Sequence, residues 1–443
     1  MLLNFKFENF RSFKNETIFS MIPSSKKMHS EFVIKKQLEN NTIKALPAAI
    51  IYGANASGKS NIILAMYLLK KIVISGTLDD KEIEPYLNVL PYIHDESYFE
   101  PTKLEITFFQ GENIYQYGLS FKSKFDKHSI IEEYLYINSD NIFIRTAQDG
   151  VSMPIHELIR KGHIPQNDTD ETFYKTLLRR LNETLDKQQL FLFSGIKNLI
   201  NNNYFMDIQK WFSKFIVVMD ANDVSFDQKD LKSIEFQKNK SNELQTRQLY
   251  KSKTIEEILN YAEFGNQQIQ FFSDVDKGDL SMVSLYKLPK YQNHDLDIRM
   301  VVTSELTESK GTIQLLRLIQ PFIDALKVGG TVVLDEMDAS LHFEIIVSLI
   351  RIFNSPAINK TGAQLIFNTH NPVYLDGTLL RHDQIIMVSK NKNNLVSELY
   401  SLSDYGLRPE ERILKNYLDG KYGALPHMDL EIAFKHILES EDD

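Results

Sequence analysis

Four stretches of the chain are apolar almost without interruption: ALPAAIIY at 45–52, TVVL at 331–334, AQLIF at 363–367 and QIIMV at 384–388. Runs this short, with no alternation, predict strands buried on both faces, as in a parallel sheet. The segment SNIILAMYLLKKIVI follows the first run with helical spacing, so strand, loop and helix succeed one another between 45 and 74. Residues 2–13 set Leu3, Phe5 and Phe7 against polar neighbours, which predicts a strand or hairpin. LEITFF, NIYQYGLSF, IIEEYLYI and NIFIRT, between 104 and 146, predict an antiparallel sheet attached to this first lobe.

From about 150 the pattern changes. Phe173, Leu177, Leu181 and Leu185 fall four apart, and Phe205, Ile208, Trp211, Phe212 and Phe215 recur at helical spacing. The expected division is therefore a first lobe over 1–148, a mostly helical insertion over 149–297 and a second α/β lobe over 298–443. Sustained heptads are too few for a long coiled coil. IRMVVTS, a helix over about 311–327, and the strands at 331 and 363 open the second lobe.

The 443 residues are 43% hydrophobic and 25% charged, an ordinary soluble balance with material for two or three domain-sized units. No apolar stretch approaches the roughly 18 residues of a membrane span. No small-residue cleavage site follows the N-terminus, so no secretory signal is expected. The absence of cysteine removes disulfides and thiolate metal sites and fits a cytoplasmic protein. A net charge of −9 argues against a surface built to coat DNA. The basic stretch at 229–253, with Lys229, Lys232, Lys238, Lys240, Arg247, Lys251 and Lys253, is expected to be a solvated helix or loop. Contact with nucleic acid or a partner is the alternative there.

The chemistry sits at the ends of the apolar runs. Gly53, four residues, then Gly58-Lys59-Ser60 is a phosphate-loop spacing, carried by Gly53, Ala54, Asn55, Ala56, Ser57, Gly58, Lys59, Ser60 and Asn61. Glycines let backbone N–H groups converge on phosphate oxygens, Lys59 supplies charge to the β and γ phosphates, and Ser60 offers its hydroxyl to Mg²⁺. The run at 331–334 ends in Asp335 and Glu336, which predicts one carboxylate for Mg²⁺ and one to polarise an attacking water. His370 closes the next strand, where a histidine can stabilise charge developing on a γ-phosphate.

In order, the segments NFRSF, GANASGKSN, ESKGT, VVLDEMDASLH and NTHN resemble the ABC-type ATPase heads of the RecF, SMC and OLD group. Within it they are most similar to the ATPase subunits of bacterial anti-phage systems of the RloA, AbiL and PARIS types. The tail YLDGKYGALP resembles the end of those proteins. The likeness covers roughly 1–145 and 298–425. It implies an ATPase head that uses ATP and Mg²⁺ and pairs head to tail with another copy through the nucleotide. It also implies that Ser309 and Gly311 form the signature closing on the other copy's ATP, that Asp338 communicates across the dimer, and that Arg11 approaches the nucleotide. Without the family, ESKGT is a helix N-cap followed by a good helix. The glutamine loop of such heads is missing: PYLNVLPYIHDESYFEP has none, and Gln110 and Gln116 lie in or beside β-runs.

Three functions follow. The first is an ATP-hydrolysing sensor or regulator in anti-phage defence that controls a separate effector, a nuclease or toxin, since no further acidic cluster or TOPRIM- or HNH-like pattern is present. The second is a DNA-repair or chromosome-handling ATPase acting directly on DNA. The third is a scaffold in which ATP is structural; a transporter ATPase fits poorly.

Overall fold

A computed structural model of the chain describes all residues except 27, 39–40, 88–89, 125–126, 165–170, 197–198, 222–223, 225–230, 235–246, 262–267, 275–279, 288–298, 340, 409–410, 426–429 and 440–443. Its centre is a six-stranded sheet. The elements are β1 (Ala48–Gly53), α1 (Lys59–Ser75), β2 (Phe215–Val218), α2 (Lys310–Val328), β3 (Thr331–Leu334), α3 (Phe343–Asn354), β4 (Gln364–Asn368), β5 (Ile385–Lys390) and β6 (Ser397–Ser401). The strand order is β2-β3-β4-β1-β5-β6, parallel throughout except for β6 at the edge. β1, β3 and β4 are buried at every position, which is why they read as unbroken apolar runs.

A seven-stranded antiparallel sheet lies against this centre. It is built from the four runs between 102 and 146, with Leu2–Glu8 and Thr17–Ser20 on one side and Gly150–Ser152 on the other. Gln364, at the start of β4, is fully buried and joins the two sheets. Its Oε1 accepts from the backbone N–H of Leu2 at 2.6 Å, and its Nε2 donates to the carbonyls of Leu2 and Leu46, both at 3.0 Å. A buried amide with all these bonds made fixes register at little desolvation cost.

The middle of the chain departs from the expected helical insertion. Helices occupy Ile155–Arg160, Glu171–Thr184, Phe191–Ser194 and Asn202–Lys214, but Phe215–Val218 then enters the central sheet as β2. Beyond it, Leu231–Ile234, Arg247–Ser252, Gln268–Asp274, Leu280–Lys287 and Arg299–Thr303 pair into a separate five-stranded antiparallel sheet. The run at 299–303 therefore belongs to this sheet and not to the nucleotide-binding lobe. Of the basic stretch, residues 231–234 and 247–252 are strands, while Lys229, Lys238 and Lys240 lie outside the described residues. On helix Glu171–Thr184, Tyr174 is buried and Phe173 is 52% exposed. Spacing by four drifts about 40° per step on an α-helix, so the inward face runs through Tyr174 rather than Phe173. Trp211 stacks on Phe108 at 4.2 Å and on Phe215 at 4.8 Å, packing the next helix between the two sheets.

Candidate functional site

β1 delivers the chain into the loop at Gly53 with no room for a side chain: a Cβ there would stand 2.4 Å from the Val388 carbonyl and 2.6 Å from Ser57 Oγ. The loop turns through positive φ at Ala56 (60°) and Gly58 (112°), and α1 begins at Lys59 with no side-chain cap. Its first N–H groups are left for an anion. Lys59, 6% exposed, donates to the carbonyls of Gly53 at 2.8 Å and Ala54 at 3.0 Å. Burial pulls its ammonium down to about 8, against the opposing pull of Glu336 and Asp335.

The loop is held from two sides. Ser397 Oγ, on β6, donates to the Ser57 carbonyl at 2.6 Å. Ser12 Oγ accepts from Asn61 Nδ2 at 2.9 Å, while the Ser12 carbonyl accepts from the Ser397 N–H at 2.7 Å. NFRSF is thus a tight turn, with Asn9 and Arg11 at φ 52° and 50° and Phe10 paired to Phe13. Asn9 Nδ2 donates to the carbonyls of Ser97 at 2.7 Å and Glu100 at 3.0 Å, so the motif clamps the 92–101 segment as well.

Across the sheet, the ends of β3 and β4 meet the loop through one amide. Asn368 is buried; its Nδ2 donates to Asp335 Oδ1 and, at 3.3 Å, to Ser60 Oγ. Its Oδ1 accepts from the backbone N–H of Glu336 at 2.6 Å. Glu336 itself sits at φ 46°, exposed, with its side chain toward the cleft. Burial raises the Asp335 carboxyl above the ordinary range, offset by its bonds to Asn368 and Ser60. Burial, and then the charge of Lys59, lowers the His370 imidazole, which favours its neutral form. Thr369 Oγ1 donates to Asp338, tying the segment after Glu336 to the end of β4.

These groups surround one open cleft of about 880 Å³. Gly53, Ala54, Asn55, Ala56, Gly58, Lys59, Ser60, Asn61, Glu336 and His370 line it. Ser57 lies buried beneath the loop. Arg11 is not among the lining residues; its neighbour Ser12 is, because the turn directs Ser12 at the loop. Ser309 and Gly311 stand apart from this cleft: Ser309 is the exposed N-cap of α2, its Oγ accepting from the Thr312 N–H at 3.1 Å. Of the other lining residues, Ser12 lies in NFRSF and Tyr417, Leu418 and Leu425 lie in the tail YLDGKYGALP, but no site role was expected of them; Pro372 and Lys390 lie in none of the motifs, and Asn368 sits beneath the cleft. Asn368 was within sight, as the first asparagine of NTHN; Lys390 carries no local signal.

Among the described residues no three His, Asp or Glu side chains gather as a metal cage. Ser60 Oγ and Asp335, brought together by Asn368, instead give one hydroxyl and one carboxylate. That donor set fits Mg²⁺, which keeps several waters and takes its remaining ligands from phosphates. No described helix is long and apolar enough to cross a membrane.

A family model described as "AAA domain, putative AbiEii toxin, Type IV TA system" matches residues 48–376, more than half of the chain. No curated protein matches it. The match spans the loop at 53–60, the acids after β3 and the histidine after β4. The chain belongs to this family and is a nucleotide-binding P-loop ATPase of the AAA/ABC kind.

Proposed function

We propose that the chain binds and hydrolyses Mg-ATP as an ABC/OLD-like head, associates with a second copy through ATP, and regulates a separate effector in bacterial anti-phage defence. The observation that carries the catalytic part is Asn368, which bonds Ser60, Asp335 and the backbone of Glu336 at once. One side chain thereby registers the phosphate loop against both acids.

In this reading the loop N–H groups and Lys59 hold the β and γ phosphates, and Lys59 exchanges its bonds to Gly53 and Ala54 for phosphate oxygens. Ser60 and Asp335 hold the magnesium, which when bound neutralises charge on the phosphates. Glu336 accepts the proton of the water that attacks the γ-phosphate, and a carboxylate kept exposed at the strand end is free to do so. His370 contacts the γ-phosphate and stabilises its developing charge. Ser309 and Gly311, outside the chain's own cleft, are available to close on ATP held by the other copy. Asp338, tied to Thr369, carries the state of the β4 end to that contact. Cytoplasmic location is supported by the absence of cysteine, the anti-phage role by the family likeness, and the family's description points to a toxin-associated context.

Lys59→Ala tests the nucleotide assignment. The variant should lose Mg-ATP binding by calorimetry and release no phosphate; normal binding would overturn it.

A further inference from the structure

Strand order gives the open cleft two ends. β3 and β4 lie on one side of β1, and β5 and β6 lie on the other. Glu336 and His370 follow the first pair, beside Ser60 and Asp335, so the terminal phosphate of the proposed nucleotide belongs there. A nucleoside joined to it through the phosphate chain then falls at the far end, past β1 on the β5 side.

The groups at that far end lie outside the phosphate loop and the strand-end acids. Lys390 closes β5 and pairs with Ser397, whose N–H donates to the Ser12 carbonyl at 2.7 Å. Ile386 and Val388 belong to the apolar core that holds Phe10 and Phe13, whereas Ile385 and Met387 belong to the core on the other face of the sheet. Alternation along the strand therefore puts Lys390 on the NFRSF side, where it lines the cleft with Ser12. Lys390 is half-buried, and its ammonium makes no hydrogen bond or ion pair with any described residue. Ser12 Oγ, which accepts from Asn61 Nδ2 at 2.9 Å, keeps its proton to donate.

Leu425 reaches the same end from the opposite face. Tyr400 pairs with Met387 across β5 and β6, and its Oη donates to the Tyr422 carbonyl. Tyr405 Oη donates to that carbonyl as well, at 3.3 Å. Tyr422 and Ala424 are buried in the core beneath, which leaves Leu425 half-buried on the cleft. This end thus offers unspent donors on one side and an alkyl surface on the other. Phosphates have no use for the alkyl surface; a heterocyclic base with its ribose uses both.

We propose that Lys390, Ser12 and Leu425 form the nucleoside subsite of the cleft, with Leu425 packed on the base and Lys390 and Ser12 donating to acceptors of the base and ribose. The subsite rests on the nucleotide reading of the cleft. It makes the chain a receptor for nucleoside phosphates rather than for bare polyphosphate, and its contribution does not depend on how many phosphates follow.

Calorimetric titration of the full chain with Mg-ATP, Mg-ADP and Mg-tripolyphosphate tests it. Wild type should bind ATP at least about tenfold more tightly than tripolyphosphate. Lys390→Met keeps the alkyl stem and should weaken ATP and ADP alike by about tenfold, the scale of one hydrogen bond from a charged group. Its affinity for tripolyphosphate should change less than about twofold. Leu425→Ala should weaken both nucleotides about fivefold and again spare tripolyphosphate. A wild type that binds none of the three overturns the nucleotide reading and the subsite with it. A wild type that holds ATP no more tightly than tripolyphosphate overturns the subsite alone. So does a Lys390→Met variant that loses nothing, or that loses tripolyphosphate as much as ATP. Unchanged nucleotide affinity in Leu425→Ala overturns the role of the alkyl surface.

Discussion

The backbone N–H of Glu336 donates to Asn368 Oδ1 at 2.6 Å, and that bond holds a glutamate at φ 46° on the rim of the cleft. A non-glycine residue in the left-handed region persists only where its surroundings impose it. Here the strain keeps the Glu336 carboxylate out of the strand and facing the nucleotide cleft.

Removing the constraint should separate chemistry from binding. Asn368→Ala leaves the Glu336 N–H without its acceptor and Asp335 and Ser60 without their shared donor, at a cost of about 1–3 kcal/mol in stability. Phosphate release should fall at least about tenfold while Mg-ATP affinity falls less, because the loop and Lys59 stay in place. Calorimetry and a phosphate-release assay on the same preparation check this. Wild-type turnover would show that Asn368 does not position the acids.

The phosphate loop gives a second prediction through its packing. Gly58 has φ 112°, and a Cβ there would lie 2.7 Å from Ser12 Oγ and 2.9 Å from Ser397 Oγ. These are the two hydroxyls that hold the loop. Gly58→Ala should lower stability by about 1–3 kcal/mol through strain and disturb both anchors. Thermal unfolding and ATP titration should move together; a variant with wild-type melting and affinity would contradict the arrangement.

Ser309 lies outside its own cleft, so its substitution addresses the second copy. Ser309→Arg loses an N-cap worth about 1 kcal/mol. It should block ATP-driven association in sedimentation experiments while ATP binding by the monomer persists. Unchanged association would remove Ser309 from the contact between copies.

How far the sequence leads depends on how local each feature is. β1, β3 and β4 are legible because a strand covered on both faces must be apolar throughout. Gly53 and Gly58 are legible because the loop's close contacts exclude a side chain. The five-stranded sheet of the middle region is not, since Arg247–Ser252 reads RQLYKS and owes its state to pairing with Gln268–Asp274. Arg299–Thr303 reads correctly as a strand, yet no local pattern says which sheet receives it. Tyr417 and Leu418 look like core residues of a short helix, and only the fold puts them at the mouth of the cleft. Arg11 illustrates the converse: its motif is recognisable, but the left-handed turn at φ 50° presents Ser12 to the loop instead.

In the proposed cycle ATP joins two copies, and Glu336 ends the association by hydrolysis. Solution molar mass, measured with and without Mg-ATP for wild type and Glu336→Gln alongside phosphate release, tests it most directly. Glu336→Gln should bind ATP, stay associated and release no phosphate, while the wild type turns over and dissociates. If both proteins keep one mass under all conditions and neither releases phosphate, the nucleotide is structural and the switch does not exist.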